Sequence, residues 1–203
     1  MMTELEKVCQ EMVLCQDCDL AKTRNKVVPG EGPENARIVC VGEAPGWHEN
    51  QQGRPFVGPA GHFLEELLGS IGLRRQDVYI CNIIKCRPPE NRDPYPIEIR
   101  TCAPWLDRQL DLIRPKVIVT LGRYSMARFF PGEAIGKIHG TARKVGELTC
   151  FAMYHPAAAL HQQSLRKVIE ADMLKLRGVL AELERAEREE NRDEFEPKQL
   201  SMF

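Results

Sequence analysis

The chain has 203 residues, 43% of them hydrophobic and 28% charged, and a formal net charge of -1. That length supports one substantial core and is short for two comfortable domains, and no apolar run approaches the roughly 20 residues of a membrane span. Near neutrality gives no electrostatic signature of nucleic acid, although eight carboxylates against four cations in residues 182–198 leave the rest of the chain mildly basic.

In chain order, the opening "MMTELEKVCQEMVLC" has helical spacing and acidic residues, unlike a secretory signal, which points to the cytoplasm. Four continuously apolar runs follow: Arg37–Gly42, Val78–Ile84, Lys116–Gly122 and Leu148–Tyr154. Continuous rather than alternating hydrophobicity is the mark of parallel strands covered on both faces. Between them lie helical patterns. Pro59 suits a first turn, and Phe63, Leu64, Leu67, Leu68 and Ile71 form one stripe ending at Gly72. Pro96–Ile113 and Ser125–Phe130 are further helices, and a long one is expected from about Ala157 to Glu190. Strand and helix alternate. The expectation is a three-layer α/β/α sandwich with a central four-stranded, mainly parallel sheet, as one domain over residues 1–190. Residues 191–203 read as a flexible polar tail.

"GEAPGWHENQQGRPFVGPAG", Gly42–Gly61, holds five glycines, three prolines, two carboxylates and an isolated phenylalanine. A connection needing only to reverse the chain is shorter and blander. It leaves the carboxyl end of the first strand, where ligands of such sheets bind, and Asn82 and His155 lie near the ends of two other strands.

Eight cysteines are many for a chain without signs of secretion. Cys15 and Cys18 form C-x2-C, while Cys86 and Cys102 bracket "RPPENRDPYPIEIRT". The four thiolates make a plausible four-sulfur metal site, zinc or iron–sulfur, with four unrelated free thiols as the alternative. Cys40, Cys81 and Cys150 lie in apolar strands, where cysteine is a small inert hydrophobe.

"GEAPG", "GRPFVGPAG", "NIIKCRPPENRDP" and "HPAAAL", in this order and together with the four cysteines, resemble the iron–sulfur uracil-DNA glycosylases of family 4 from about Cys15 to Leu160. The resemblance implies an α/β/α sandwich and a [4Fe-4S] cluster on Cys15, Cys18, Cys86 and Cys102. It also implies removal of uracil from DNA by hydrolysis of the N-glycosidic bond, in the cytoplasm at the nucleoid, by a monomer. Phe56 would then stack on the base, although a plain apolar plug at the sheet edge is an equal reading of the residue itself. Asn82 would pair with O4 and N3–H of uracil, Glu49 would fill the space beside C5 that a thymine methyl needs, and Gly42 would lie against the base. Glu43 would stabilise the sugar cation or orient water, and His155 would bond O2 of the leaving base. DNA contacts are expected from Arg54, Lys85, Arg87 and Arg92, with Leu160 as the wedge filling the gap in the stack. The N–H groups of Gly58–Gly61, at a helix start, are expected to be open to phosphate.

"QLSMF" resembles the pentapeptide with which bacterial proteins dock on the DNA polymerase sliding clamp, with Gln199, Leu200, Met202 and Phe203 as anchors. Two other readings stand beside this one. The first is a non-catalytic iron–sulfur or zinc DNA-binding and recruitment protein. The second is a related glycosylase that prefers hypoxanthine or xanthine.

Overall fold

A computed structural model describes residues 2–195. Gln199, Leu200, Met202 and Phe203 lie outside the described residues. The helices are α1 (Glu4–Leu14), α2 (Leu20–Thr23), α3 (Trp47–Gln52), α4 (Pro59–Ser70), α5 (Pro96–Ile113), α6 (Arg123–Phe129), α7 (Ile135–Ile138), α8 (Pro156–His161) and α9 (Ser164–Phe195). The strands are β1 (Ile38–Gly42), β2 (Tyr79–Asn82), β3 (Val117–Leu121), β4 (Thr141–Val145) and β5 (Leu148–Met153), in the sheet order β2-β1-β3-β5-β4.

The four apolar runs form the parallel part of the sheet, β2, β1, β3 and β5. Alternate residues of one strand serve opposite layers, which is why the runs are apolar throughout. Val39 and Val41 of β1 pack with Leu5, Val8 and Met12 of α1 and Leu106 and Ile113 of α5. Ile38 and Cys40 pack with Phe63, Leu64, Leu67 and Leu68 of α4 and with Ile169, Met173 and Leu176 of α9. The chain is thus an α/β/α sandwich, and among the described residues no helix is long and apolar enough to cross a membrane.

Three expectations need correction. The sheet has a fifth strand, β4, antiparallel to β5. All five of its residues are exposed, so it carries no apolar pattern, as suits a polar edge strand. The long helix from Ala157 is two helices, α8 and α9, because Gln162 is extended. At its far end α9 continues to Phe195, past the expected limit at Glu190.

Candidate active site

The carboxyl ends of β1, β2 and β5 surround a pocket of about 580 Å³, lined by Glu43, Glu49, Phe56, Asn82, Arg123 and His155 among others. Strand register explains part of this convergence. Gly42 ends β1 directly opposite Asn82, which ends β2. A Cβ on residue 42 would collide with Asn82 Oδ1 and with the Phe56 ring, so glycine is what lets carboxamide and phenyl share the space.

Phe56 is buried, and its backbone is left-handed, with φ at 49°, a conformation that costs a residue with a side chain about 1–2 kcal/mol. Its surroundings hold it there. Arg75 Nη1 donates to the Phe56 carbonyl at 2.9 Å and Nη2 donates to the Pro55 carbonyl. Gly61 packs so closely on the Phe56 carbonyl that a Cβ there would overlap it. Glu31 accepts from Arg75 and holds Arg54 with two bonds of 2.8 Å. Neither Arg75 nor Glu31 carries a motif in the sequence. The ring lies 5.5 Å from the His155 ring, inclined by 26°.

Glu49 staples the same loop. Oε1 accepts the N–H groups of Val57 and Gly58, each at 2.9 Å, and Oε2 accepts that of Gly46 at 3.1 Å. The Gly58 N–H at the start of α4 is therefore taken by a side chain, and Gly61 N–H bonds the Gly58 carbonyl. This corrects the expectation that these groups are open to phosphate.

Three polar side chains face the pocket in different electrostatic states. Asn82 is 1% exposed, and its Oδ1 is buried with no hydrogen-bond partner. A buried acceptor left unpaired costs about 1–3 kcal/mol, so this atom is suited to a donor on a ligand. His155 caps α8, with Nδ1 accepting the Ala157 N–H at 3.1 Å. That bond leaves the proton on Nε2, and burial pushes the imidazole down to about 4 against the pull of Glu49, so the ring is a neutral donor at physiological pH. Burial and the Asp93 carboxylate push Glu43 up to about 7, and Arg123 opposes them. Arg123 is paired with Asp93 across the pocket mouth. It follows β3 directly, and a position at the carboxyl end of a central strand was a signal that could have found it.

The basic residues separate. Lys85 is 2% exposed, with Nζ bonded to the Asn82 carbonyl at 2.8 Å, which corrects its expected role at DNA phosphates. Arg92 lines the pocket, bonded to Glu98 at 2.6 Å, with its guanidinium 3.7 Å from the Tyr95 ring centre. Arg87 Nε bonds Asn91 Oδ1 at 2.6 Å. Arg54 is exposed on the Glu31 side of the loop, and Leu160 is 51% exposed on α8.

Cys15, Cys18, Cys86 and Cys102 line one cavity, together with Arg24 and Lys85. Among the described residues no three metal-ligating side chains converge on the centre of a single ion. The four thiols border one cavity, and an all-sulfur donor set suits either zinc or an iron–sulfur group. Donors already face the sulfurs: Arg24 Nη1 lies 3.4 Å from Cys86 Sγ, and the Lys85 N–H donates to Cys102 Sγ at 3.3 Å. Cys40, Cys81 and Cys150 are buried in their strands, away from this cavity.

Residues 29–176 match the family described as the uracil DNA glycosylase superfamily. The chain is 48% identical to a type-4 uracil-DNA glycosylase of Sulfurisphaera tokodaii, over 87% of this chain and 84% of that protein. It is 47% identical to one of Archaeoglobus fulgidus, over 86% of this chain and 92% of the relative. A third, from Saccharolobus solfataricus, shares 46% over 89% and 88%. Pocket, sheet and likeness agree: the chain belongs to the uracil-DNA glycosylase superfamily, in its type-4 branch.

Proposed function

We propose that the protein everts uracil from DNA and hydrolyses its N-glycosidic bond, leaving an abasic site. The observation that carries this reading is the unpaired Asn82 Oδ1 in the pocket wall beside the Phe56 ring. A base stacked in a duplex is out of reach, so it must swing into the pocket. Phe56 offers a flat face, and base–aromatic stacking contributes about 1–3 kcal/mol. Asn82 accepts from N3–H and donates to O4; cytosine presents the opposite pattern at both atoms. Glu49, fixed by three backbone N–H groups, is a rigid wall where a C5 methyl would go.

Cleavage leaves positive charge on the sugar and negative charge on the departing base. The neutral His155 Nε2–H donates to O2 of the leaving uracil, a type of contact whose loss costs about 10²–10³ in rate. Ionised Glu43 stabilises the sugar cation and orients the attacking water. Arg92 and Arg123 at the mouth meet the DNA backbone, and Leu160 occupies the gap left in the stack. Cys15, Cys18, Cys86 and Cys102 would hold a [4Fe-4S] cluster, which when bound would clip the amino-terminal segment to the loop after Cys86.

The test is incubation with oligonucleotides that differ only in carrying uracil, thymine or hypoxanthine, followed by alkaline scission of abasic sites. Scission of the uracil strand alone is expected; no scission of any strand overturns the reading. Visible absorption of the same preparation separates iron–sulfur from zinc.

Glu43 makes the rate pH-dependent. A carboxyl titrating at about 7 gives single-turnover rates that rise about tenfold between pH 6 and 8 and then level off. Glu43→Gln is expected to be slower and flat across this range. Stability moves the other way. The folded value lies above the ordinary 4.5, so the fold loses stability as pH rises from about 4.5 through about 7. The variant should melt higher than wild type at pH 8 and level with it at pH 4.

The terminal QLSMF gives the enzyme an address. Tethering to the sliding clamp raises local concentration at replicating DNA without any new contact in the pocket. Deleting residues 199–203 is expected to abolish capture on immobilised clamp while uracil excision in solution is unchanged.

A further inference from the structure

Lys85 has no part in the mechanism above, yet it is a lysine buried in the middle of the molecule, 2% exposed. A buried ammonium is tolerated only when its hydrogen bonds are made. Nζ donates to the main-chain carbonyl of Asn82 at 2.8 Å and to Gln109 Oε1 at 2.6 Å. Gln109 is itself fully buried and fixed, with Nε2 donating to Tyr79 Oη at 2.7 Å and to the Pro29 carbonyl at 2.9 Å. The main chain of Lys85 faces the other way: its N–H donates to Cys102 Sγ, Cys86 is the next residue, and Lys85 lines the four-cysteine cavity.

We propose that Lys85 is a positioning residue that fixes the base-reading carboxamide of Asn82 and ties it to the four-cysteine cavity; the inference rests on Asn82 reading uracil, as above. Asn82 ends an outer strand, where the chain leaves the sheet. Its carbonyl is gripped by the Lys85 ammonium, which fixes the peptide plane from which the carboxamide projects. The grip is only as firm as residues 85 and 86 are, and those residues are held from the cavity side. A shift in the wall of that cavity moves the ammonium, then the Asn82 carbonyl, then the edge presented to the base. Displacement of a binding group by about 1 Å can cost up to a hundredfold.

The test uses the full-length holoprotein, wild type against Lys85→Met and Lys85→Arg. Readouts are inhibition by free uracil, affinity for abasic DNA, iron content and melting temperature. Met matches the lysine stem in length and removes the buried charge, at a cost in stability because the Asn82 carbonyl and Gln109 Oε1 lose their donor. Lys85→Met is expected to weaken uracil inhibition at least about tenfold while abasic-DNA affinity stays within twofold, with Lys85→Arg recovering part of the loss. Removing iron with a chelator should weaken uracil inhibition of the wild type and add nothing in Lys85→Met. Wild-type uracil inhibition in Lys85→Met overturns the proposal, as do equal losses for uracil and abasic DNA or a chelator effect that multiplies with the mutation. Should Lys85→Met not fold, Gln109→Leu, which frees the far end of the ammonium, is read by the same criteria. A wild type that neither cleaves uracil DNA nor responds to free uracil sinks the function proposed above, a result distinct from these.

Discussion

Asn82→Ala is expected to lower single-turnover excision of uracil by about 10³ or more while leaving the melting temperature unchanged or slightly raised. The rate loss follows from removing two directional bonds to the departing base in a site built to make them. The stability result follows from the same atom seen in the free protein. Oδ1 is buried without a partner, which costs the fold about 1–3 kcal/mol, and truncation removes that cost. Ala also leaves the main-chain carbonyl in place, so the bond from Lys85 survives. A group that opposes folding while serving a ligand separates activity from stability, whereas a packing residue lowers both. Rates near wild type, or a fall of several degrees in melting temperature, would assign Asn82 to the core.

Cys86→Ala should give protein without visible absorption that melts more than about 10 °C below wild type, and Cys40→Ala should keep its iron. Both residues are buried cysteines, so burial alone predicts similar losses for the two. They differ in place: Cys86 lines the shared cavity and Cys40 sits in β1. The proposed ligation would tie a segment near the amino terminus to a loop some 70 residues later, and losing it would cost several kcal/mol at about 2–4 °C each for a chain of this length. The segment keeps one other hold, since Leu5, Val8 and Met12 pack into the core. A compact but weakened variant is therefore expected rather than an unfolded one. A colourless Cys86→Ala with wild-type melting and kinetics would contradict the ligation.

The buried parallel strands were legible in the sequence because burial on two faces leaves no room for polar residues. β4 was not, because "TARKV" is an exposed edge whose strand state is set by pairing with β5 and by nothing in its own pattern. The residues gathered at the pocket were named from motifs, and Gly42, Phe56, Asn82 and His155 do meet there. Lys85 shows the limit of that approach. In "KCRPPENR" it reads as one more surface cation, and only the return of its side chain to the Asn82 carbonyl takes it inside. Arg75 and Glu31 were invisible for a related reason. Their work is to hold the backbone of another residue, and backbone strain leaves no trace in a string of letters.

Helix α8 is six residues long, with His155 as its cap at one end and Leu160 near the other. A rod that short does not bend, so any tilt of it carries both side chains together. On the function proposed above, the side chain entering the stack and the donor to the base share one short span, so the reach from DNA to pocket is set by the length of this helix.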